Sequence, residues 1–416
     1  MKKTILLLCI AFLIIFSGCS NTSVGNSETL SKNTDNSEKN SEQTIDTSAA
    51  IANERISIYD INNVKIGEIE RYGILVQTDD SIIYTKIPTG SVDSITEMDY
   101  YRYIFAKNES IKLGTIKNWS YEAKYDTSII GNSLYMFITT GDIYDINNRT
   151  LELYKVDLTN NTMSSVFSEK GGFPYNTMTV VGNKLLMSRV LAAGGCELEE
   201  YDTITEKRKL LKKFDFNDQT NMGETIRQIS SDENTVSLLR LKMESENKIN
   251  MYLDVYDHDM NFIRSANVST IPSNISDSPG NELQQGVSNF IFTNNYIYYA
   301  NFSITRFLGK IENNSLRSIL EVNPEFEISA EVVKNKSTSL FFQSFNQSND
   351  LYLLNCSDGT IKKSSFKADD ERYYIIYISR DTNNNLLITM NYKDPDTGEK
   401  LPSKLYYINS SDIEFK

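Results

Sequence analysis

A chain of 416 residues with 42 basic and 55 acidic side chains carries a formal net charge of −13. Such a field repels nucleic acid and anionic lipid headgroups, and a lone histidine, His258, excludes zinc or iron centres built from several histidines. Tyrosine (25) and phenylalanine (19) are plentiful against few glycines (19) and prolines (7), a balance that favours β-strands.

The chain opens with Lys2 and Lys3, continues through an apolar run over residues 4–16, and reaches Ser17, Gly18 and Cys19. A positive start, a short apolar stretch and small residues before a cleavage point form an export signal. A permanent bilayer span needs about 20 apolar residues, more than this run supplies. The segment resembles a bacterial lipoprotein signal. That resemblance implies removal of residues 1–18, acylation of Cys19, and a chain held on the outer face of the cell membrane. The alternative is an ordinary cleaved signal with an incidental cysteine. Cys9 leaves with the signal, so Cys196 and Cys356 are the thiols of the folded body, expected as two separate buried groups.

Residues 19–53 are rich in Ser, Asn, Thr, Glu and Lys and nearly devoid of large apolar side chains. They cannot bury enough surface to offset ordering, so they read as a flexible tether, with an r.m.s. span on the order of 30 Å.

Over residues 54–416 the text becomes short alternating apolar runs punctuated by Asn, Asp and Gly, the pattern of strands and tight turns. One hairpin type begins with an aromatic-rich strand ending in Asp or Asn, as in Ile56 to Asp60, Leu153 to Asp157, Leu253 to Asp257, Leu351 to Asn355 and Leu405 to Asn409. A second type turns at Gly131-Asn132, Gly182-Asn183, Asp232-Glu233-Asn234, Asn294-Asn295 and Asn383-Asn384-Asn385, among others. Asn and Gly there supply the positive φ that tight hairpins demand. The two types alternate, each recurring about every 50 residues.

Two hairpins per period make a four-stranded antiparallel sheet, and a string of such sheets resembles a β-propeller. The count favours seven blades, with six or eight open. The hairpin from Ile56 to Ile69 is surplus and closes the ring on the last blade or adds outer strands to it. A β-sandwich or two unrelated β domains is the competing architecture. With its signal, the whole resembles propeller lipoproteins of low-GC Gram-positive bacteria.

In such a meander, the turns between the first and second strands and between the third and fourth share one face. The second-to-third loops and the crossovers between blades share the other. The first face reads as tight turns and the second as variable connections, where recognition usually resides. Trp119 and Tyr121 on a crossover are candidates for stacking against a ligand, Trp119 alternatively packing between blades. Asp142, Asp145, Asp394 and Asp396, with Glu97 and Asp99, make several loops of that face acidic. Calcium favours such oxygens, but Asp394-Pro395-Asp396-Thr397-Gly398 equally fits a plain turn, and no metal is expected.

Catalytic groups are harder to find. His258 lies in a tight turn beside Asp257 without a Gly-x-Ser-x-Gly nucleophile motif, and no Gly-rich nucleotide loop occurs. No catalytic residue and no cofactor is therefore assigned. The expected function is non-catalytic binding or scaffolding of an envelope protein, peptide or glycan, with no nucleic acid and a membrane contact through Cys19. An extracytoplasmic, carbohydrate-active hydrolase or lyase on a propeller frame is the alternative.

Overall fold

A computed structural model describes residues 55–70, 72–86, 96–119, 125–141, 149–170, 173–190, 196–217, 222–245, 248–272, 287–293, 296–301, 306–312, 315–322, 326–328, 338–343, 350–355, 360–381, 383–392 and 401–416. The described chain is all-β apart from one short 3-10 turn, Phe105–Lys107.

Strands β1 (Arg55–Tyr59) and β2 (Lys65–Glu70) form the surplus hairpin. Four successive strands, β3 (Tyr72–Gln77), β4 (Ser81–Lys86), β5 (Glu97–Ile104) and β6 (Glu109–Lys117), then pair in chain order as a first sheet. A second follows from β7 (Tyr125–Ile130), β8 (Ser133–Thr140), β9 (Thr150–Asp157) and β10 (Thr162–Lys170). A third comprises β11 (Phe173–Val181), β12 (Lys184–Val190), β13 (Cys196–Asp202) and β14 (Lys207–Phe214).

The fourth sheet starts with a short β15 (Phe216–Asn217), then β16 (Met222–Ser231), β17 (Thr235–Ser245), β18 (Lys248–Asp257) and β19 (Phe262–Pro272). It joins a further meander of β20 (Val287–Thr293), β21 (Tyr296–Asn301), β22 (Arg306–Glu312) and β23 (Ser315–Val322) through one parallel pairing, Asn267 with Ser315. Strands β24 (Phe326–Ile328), β25 (Thr338–Gln343), β26 (Leu351–Asn355) and β27 (Ile361–Lys363) form the next four-stranded sheet. Finally β28 (Tyr373–Arg380), β29 (Leu386–Tyr392) and β30 (Lys404–Ile408) accept β1 and β2 as a fourth and fifth strand. The architecture is thus a succession of four-stranded antiparallel blades, as the alternating hairpins imply.

Ring closure has a specific register. β1 runs parallel to β30, with Ser57, Ile58 and Tyr59 opposite Lys404, Leu405 and Tyr406. The N-terminal hairpin therefore adds outer strands to the last sheet, one of the two outcomes its sequence allowed. Inner strands also meet across the seam: Ser379 Oγ donates to Gln77 Oε1 (3.0 Å), and Gln77 Nε2 donates to the Asn385 carbonyl (3.2 Å). Ile56, Ile58 and Ile69 then pack with Ile82, Tyr84, Tyr103, Leu387 and Leu405 into one buried cluster joining last sheet to first.

Similar clusters lie between successive sheets, and an unanticipated device serves them. Several outermost strands carry an extra residue opposite the third strand, and it is always aliphatic: Leu113, Val166, Leu211, Val268 and Ile319, with a second on β19 at Ile263. Such a bulge redirects a side chain that strict alternation would send outward. Leu113, Val166 and Leu211 accordingly join the apolar clusters between sheets.

The tight-turn face is built from aspartates. Asp60, Asp157, Asp202, Asp232, Asp257 and Asp381 each accept backbone N–H bonds from residues two to four positions on. Asn63, Asn108, Asn161 and Asn384 adopt positive φ, as do Gly131 (+54°) and Gly182 (+57°), where the pattern placed turns.

Two loop boundaries shift. Glu97 and Asp99 belong to β5 itself, paired with Lys117 and Thr115. Strands β17 and β18 pair as far as Ser245 with Lys248, through the stretch from Met243 to Asn250 that reads in the sequence as a second-to-third loop. In both places ladder pairing continues through residues whose polarity alone suggested a loop.

Candidate functional site

The proposed recognition face can be traced through the crossover between the first and second sheets. Trp119 N donates to the Thr96 carbonyl (3.0 Å), and the Asn118 carbonyl accepts from Gly141 N (2.7 Å). One crossover is therefore fastened to second-to-third loops of two neighbouring sheets, so these connections do share a face. Asn118 makes the bend with φ of 53°.

Trp119 is half-buried and packs against the cluster of Ile83, Met98, Tyr100, Ile116, Leu134 and Met136 between those sheets. Its ring is occupied by inter-sheet packing, the second of the two roles its sequence position suggested. Cys19, Tyr121, Asp142, Asp145, Asp394 and Asp396 lie outside the described residues.

Strand ends flanking this face are rich in ion pairs. Asp99 pairs with Lys112 (2.8 Å) and accepts from Thr115 Oγ1 (2.6 Å). Partial burial opposes ionisation of Asp99, but these donors prevail and hold its carboxyl below the usual range.

The largest network spans the second and third sheets. Arg189 on β12 pairs with Glu197 (2.6 Å), Glu199 (3.0 Å) and Glu169, while Arg208 on β14 pairs with Glu199 and Glu169. Arg208 also lies 4.0 Å from the Phe167 ring centre, a cation–π contact. Burial alone raises the Glu169 carboxyl, yet Arg208 and Arg189 together keep it below its ordinary value. A matching arrangement in the fourth sheet sets Arg240 Nε against buried Asp254 (2.6 Å), with Ser265 Oγ donating to the same carboxylate (2.6 Å).

Asp99 apart, none of these charged residues stands out in the sequence. Glu197 and Glu199 fall on one face of a strand, but their arginine partners on other strands become neighbours only through sheet pairing. Alternating acids on β13 opposite the basic β14 are the signal that was there to be read.

The flank of the 393–403 connection is cationic and aromatic. Tyr373 and Tyr392 pack edge-to-face at 5.3 Å, Arg372 lies 5.0 Å from the Tyr392 ring centre, and Lys404 Nζ lies 4.3 Å from that of Tyr373. Tyr373 OH donates to the Pro402 carbonyl (3.2 Å), which ties the connection to the inner strand. Both rings are buried.

His258 is exposed on the tight-turn face, with Nε2 3.0 Å from the Asp232 carbonyl. The Asp257 carboxylate instead accepts from Asn261 N and Nδ2 (2.8 and 2.9 Å). The pair is turn structure. Cys196 is a buried free thiol whose Sγ accepts from Ile226 N (3.1 Å), and burial raises its pKa; Cys356 lies outside the described residues. Among the described residues no group of three metal-ligating side chains occurs, and no helix is long and apolar enough to cross a membrane.

No family model and no curated sequence matches the chain. Solved structures similar to it include the β-propeller domain of the trilobed protease from Pyrococcus furiosus: 12% identity, 82% of this chain and 95% of that one, TM-score 0.47. Another is a puromycin-hydrolysing peptidase from Mycobacterium tuberculosis, at 8% identity over 83% of this chain and 53% of that one, TM-score 0.48. A third is the periplasmic gluconolactonase of Pseudomonas aeruginosa, at 11% identity over 78% and 96%, TM-score 0.41. At these identities nothing of their chemistry transfers, and the propeller assignment stands on this chain's own sheet order.

Proposed function

We propose that this chain is an extracytoplasmic lipoprotein, anchored through Cys19, whose propeller is a non-catalytic binding module for an envelope protein, peptide or glycan. The observation that carries the reading is the division of labour between the two faces. Aspartate-capped tight turns close one face, and connections of varied length, fastened to each other by the 118–119 crossover, make up the other. A rigid scaffold presenting variable loops is the general form of a recognition surface. The charged side chains described beside it are engaged in pairs within and between sheets, which suits a fixed platform. Residues 19–53 supply the reach that would hold such a platform off the membrane.

The test is crosslinking of the full chain in its native membrane, followed by identification of what is joined to it. A saturable partner lost when the 393–403 connection is replaced by a short Gly-Asn turn supports the reading. Turnover of a glycan or peptide by the purified chain, abolished by the same replacement, would instead establish an enzyme.

A further inference from the structure

Among the described residues, large apolar side chains left in water are not scattered at random. The exposed ones among the described residues are Val64, Ile204, Leu210, Phe262, Ile263 and Ile361. Every one lies on an outermost strand (β14, β19 or β27) or in the turn leading into one (β2 or β14). Two neighbouring sheets contribute four of them: Ile204 (72% exposed) and Leu210 from the third, Phe262 (60% exposed) and Ile263 from the fourth.

Basic side chains accompany these residues. β14 reads Lys-Arg-Lys-Leu-Leu-Lys-Lys-Phe, and Lys207, Lys209, Lys212 and Lys213 are exposed on it. Arg208 turns inward to its glutamates, and Lys212 leans on Phe214 and Tyr256. Lys207, Lys209 and Lys213 lie opposite Asp202, Glu200 and Glu197 in the β13–β14 ladder, but Glu200 pairs with Lys184 and Glu197 with Arg189, so the strand stays locally cationic on a chain of net charge −13. The strand is also the free edge of its sheet, but the bulge at Leu211 interrupts the ladder geometry that an added peptide strand would need.

We infer that the β14–β19 rim, through Ile204, Leu210, Phe262, Lys207, Lys209 and Lys213, docks on an anionic phospholipid surface. The juxtaposition suits a lipid–water boundary. Aliphatic and aromatic side chains enter the acyl margin while lysine stems extend alongside and leave their ammonium groups at the phosphates. Each lysine held near such a surface adds an attraction that salt weakens. The choice of lipid as the polyanion rests on the anchored reading, which brings a bilayer within reach.

The test is amine-labelling footprinting of the full chain on vesicles of phosphatidylcholine alone and with added phosphatidylglycerol. Acylation of Lys207, Lys209 and Lys213 is expected to fall at least several-fold on the anionic vesicles only and to recover in high salt. Lys107, exposed on a turn of the first sheet, is expected to label equally throughout. The triple variant Lys207→Gln, Lys209→Gln, Lys213→Gln, with unchanged circular dichroism, is expected to lose the anionic-vesicle protection of its neighbour Lys212. The fraction of chain bound to either vesicle reports the anchor separately, so failure of anchoring and failure of rim docking are distinguishable. Equal labelling on both vesicle types would overturn the inference. So would protection by lipid-free envelope protein.

Discussion

Gly67 offers a direct test of how the ring is closed. It lies on β2, an outer strand of the last sheet, and its α-carbon faces Tyr103 of the first. A Cβ built there would sit 1.7 Å from the Tyr103 hydroxyl oxygen and 2.8 Å from Cζ. Tyr103 cannot swing away cheaply, because its ring is buried among Ile56, Ile58, Ile69 and Ile82 and its hydroxyl donates to Asn108 Oδ1 (2.8 Å). Gly67→Ala should therefore cost about 1–3 kcal/mol in overpacking, plus about 1 kcal/mol if the hydroxyl bond is lost. Elsewhere in a strand the same substitution is close to neutral or mildly stabilising, by about 0.4–1 kcal/mol through the unfolded chain. Urea unfolding followed by intrinsic fluorescence measures the difference. Tyr103→Phe removes the atom nearest the new methyl, so the double variant should recover part of the loss, with a coupling energy above about 0.5 kcal/mol. A Gly67→Ala protein as stable as the parent would refute the described contact between last and first sheets.

Gly114→Ala is the internal contrast: its nearest atom is the flexible Met163 Cε at 2.8 Å, so the same assay should show a cost below about 1 kcal/mol. Arg102 is buried and joins the first sheet's turn to the second's, through Ser81 Oγ (2.8 Å), Asp80 (2.9 Å), Asn161 Oδ1 (2.8 Å) and the Leu158 carbonyl. Arg102→Leu should cost about 2–4 kcal/mol, discounted from a fully buried pair because Asp80 is largely exposed, again read by urea unfolding. Cys196 should resist iodoacetamide in the native protein and react fully in denaturant, as mass spectrometry of the alkylated chain will show. The turn carboxylates Asp157, Asp202 and Asp257 are held below their ordinary pKa, the first two by backbone N–H donors and the third by Asn261. Their contribution is present above the unfolded pKa near 4 and is lost as pH falls through the lower folded values, so an acid titration of stability should decline below about pH 4.

The strand ladder was legible in this sequence because a two-residue period and Asn, Asp or Gly at each turn leave little freedom. Asp157 followed by Asn160 and Asn161, or Gly131 with Asn132, dictates a hairpin locally, without help from the rest of the chain. From the recurrence of those hairpins the blades follow, and so does the assignment of tight turns to one face. What only the tertiary structure decided depends on partners distant in the chain. The parallel seating of β1 on β30 joins the two ends of the chain in one sheet, the inward bulges at Leu113, Val166 and Leu211 are set by register with a neighbouring strand, and the Arg189–Glu169–Arg208 network arises where separate sheets meet. A bulge needs only one extra residue, which the alternating pattern of β14 does not reveal until β13 fixes its register. Charge in a strand likewise has no address until the neighbouring sheet supplies a counter-ion or, as at Lys207 and Lys209, leaves it facing water. Local turn chemistry is written within a few residues, whereas electrostatic and packing partners are set by the closing of the ring.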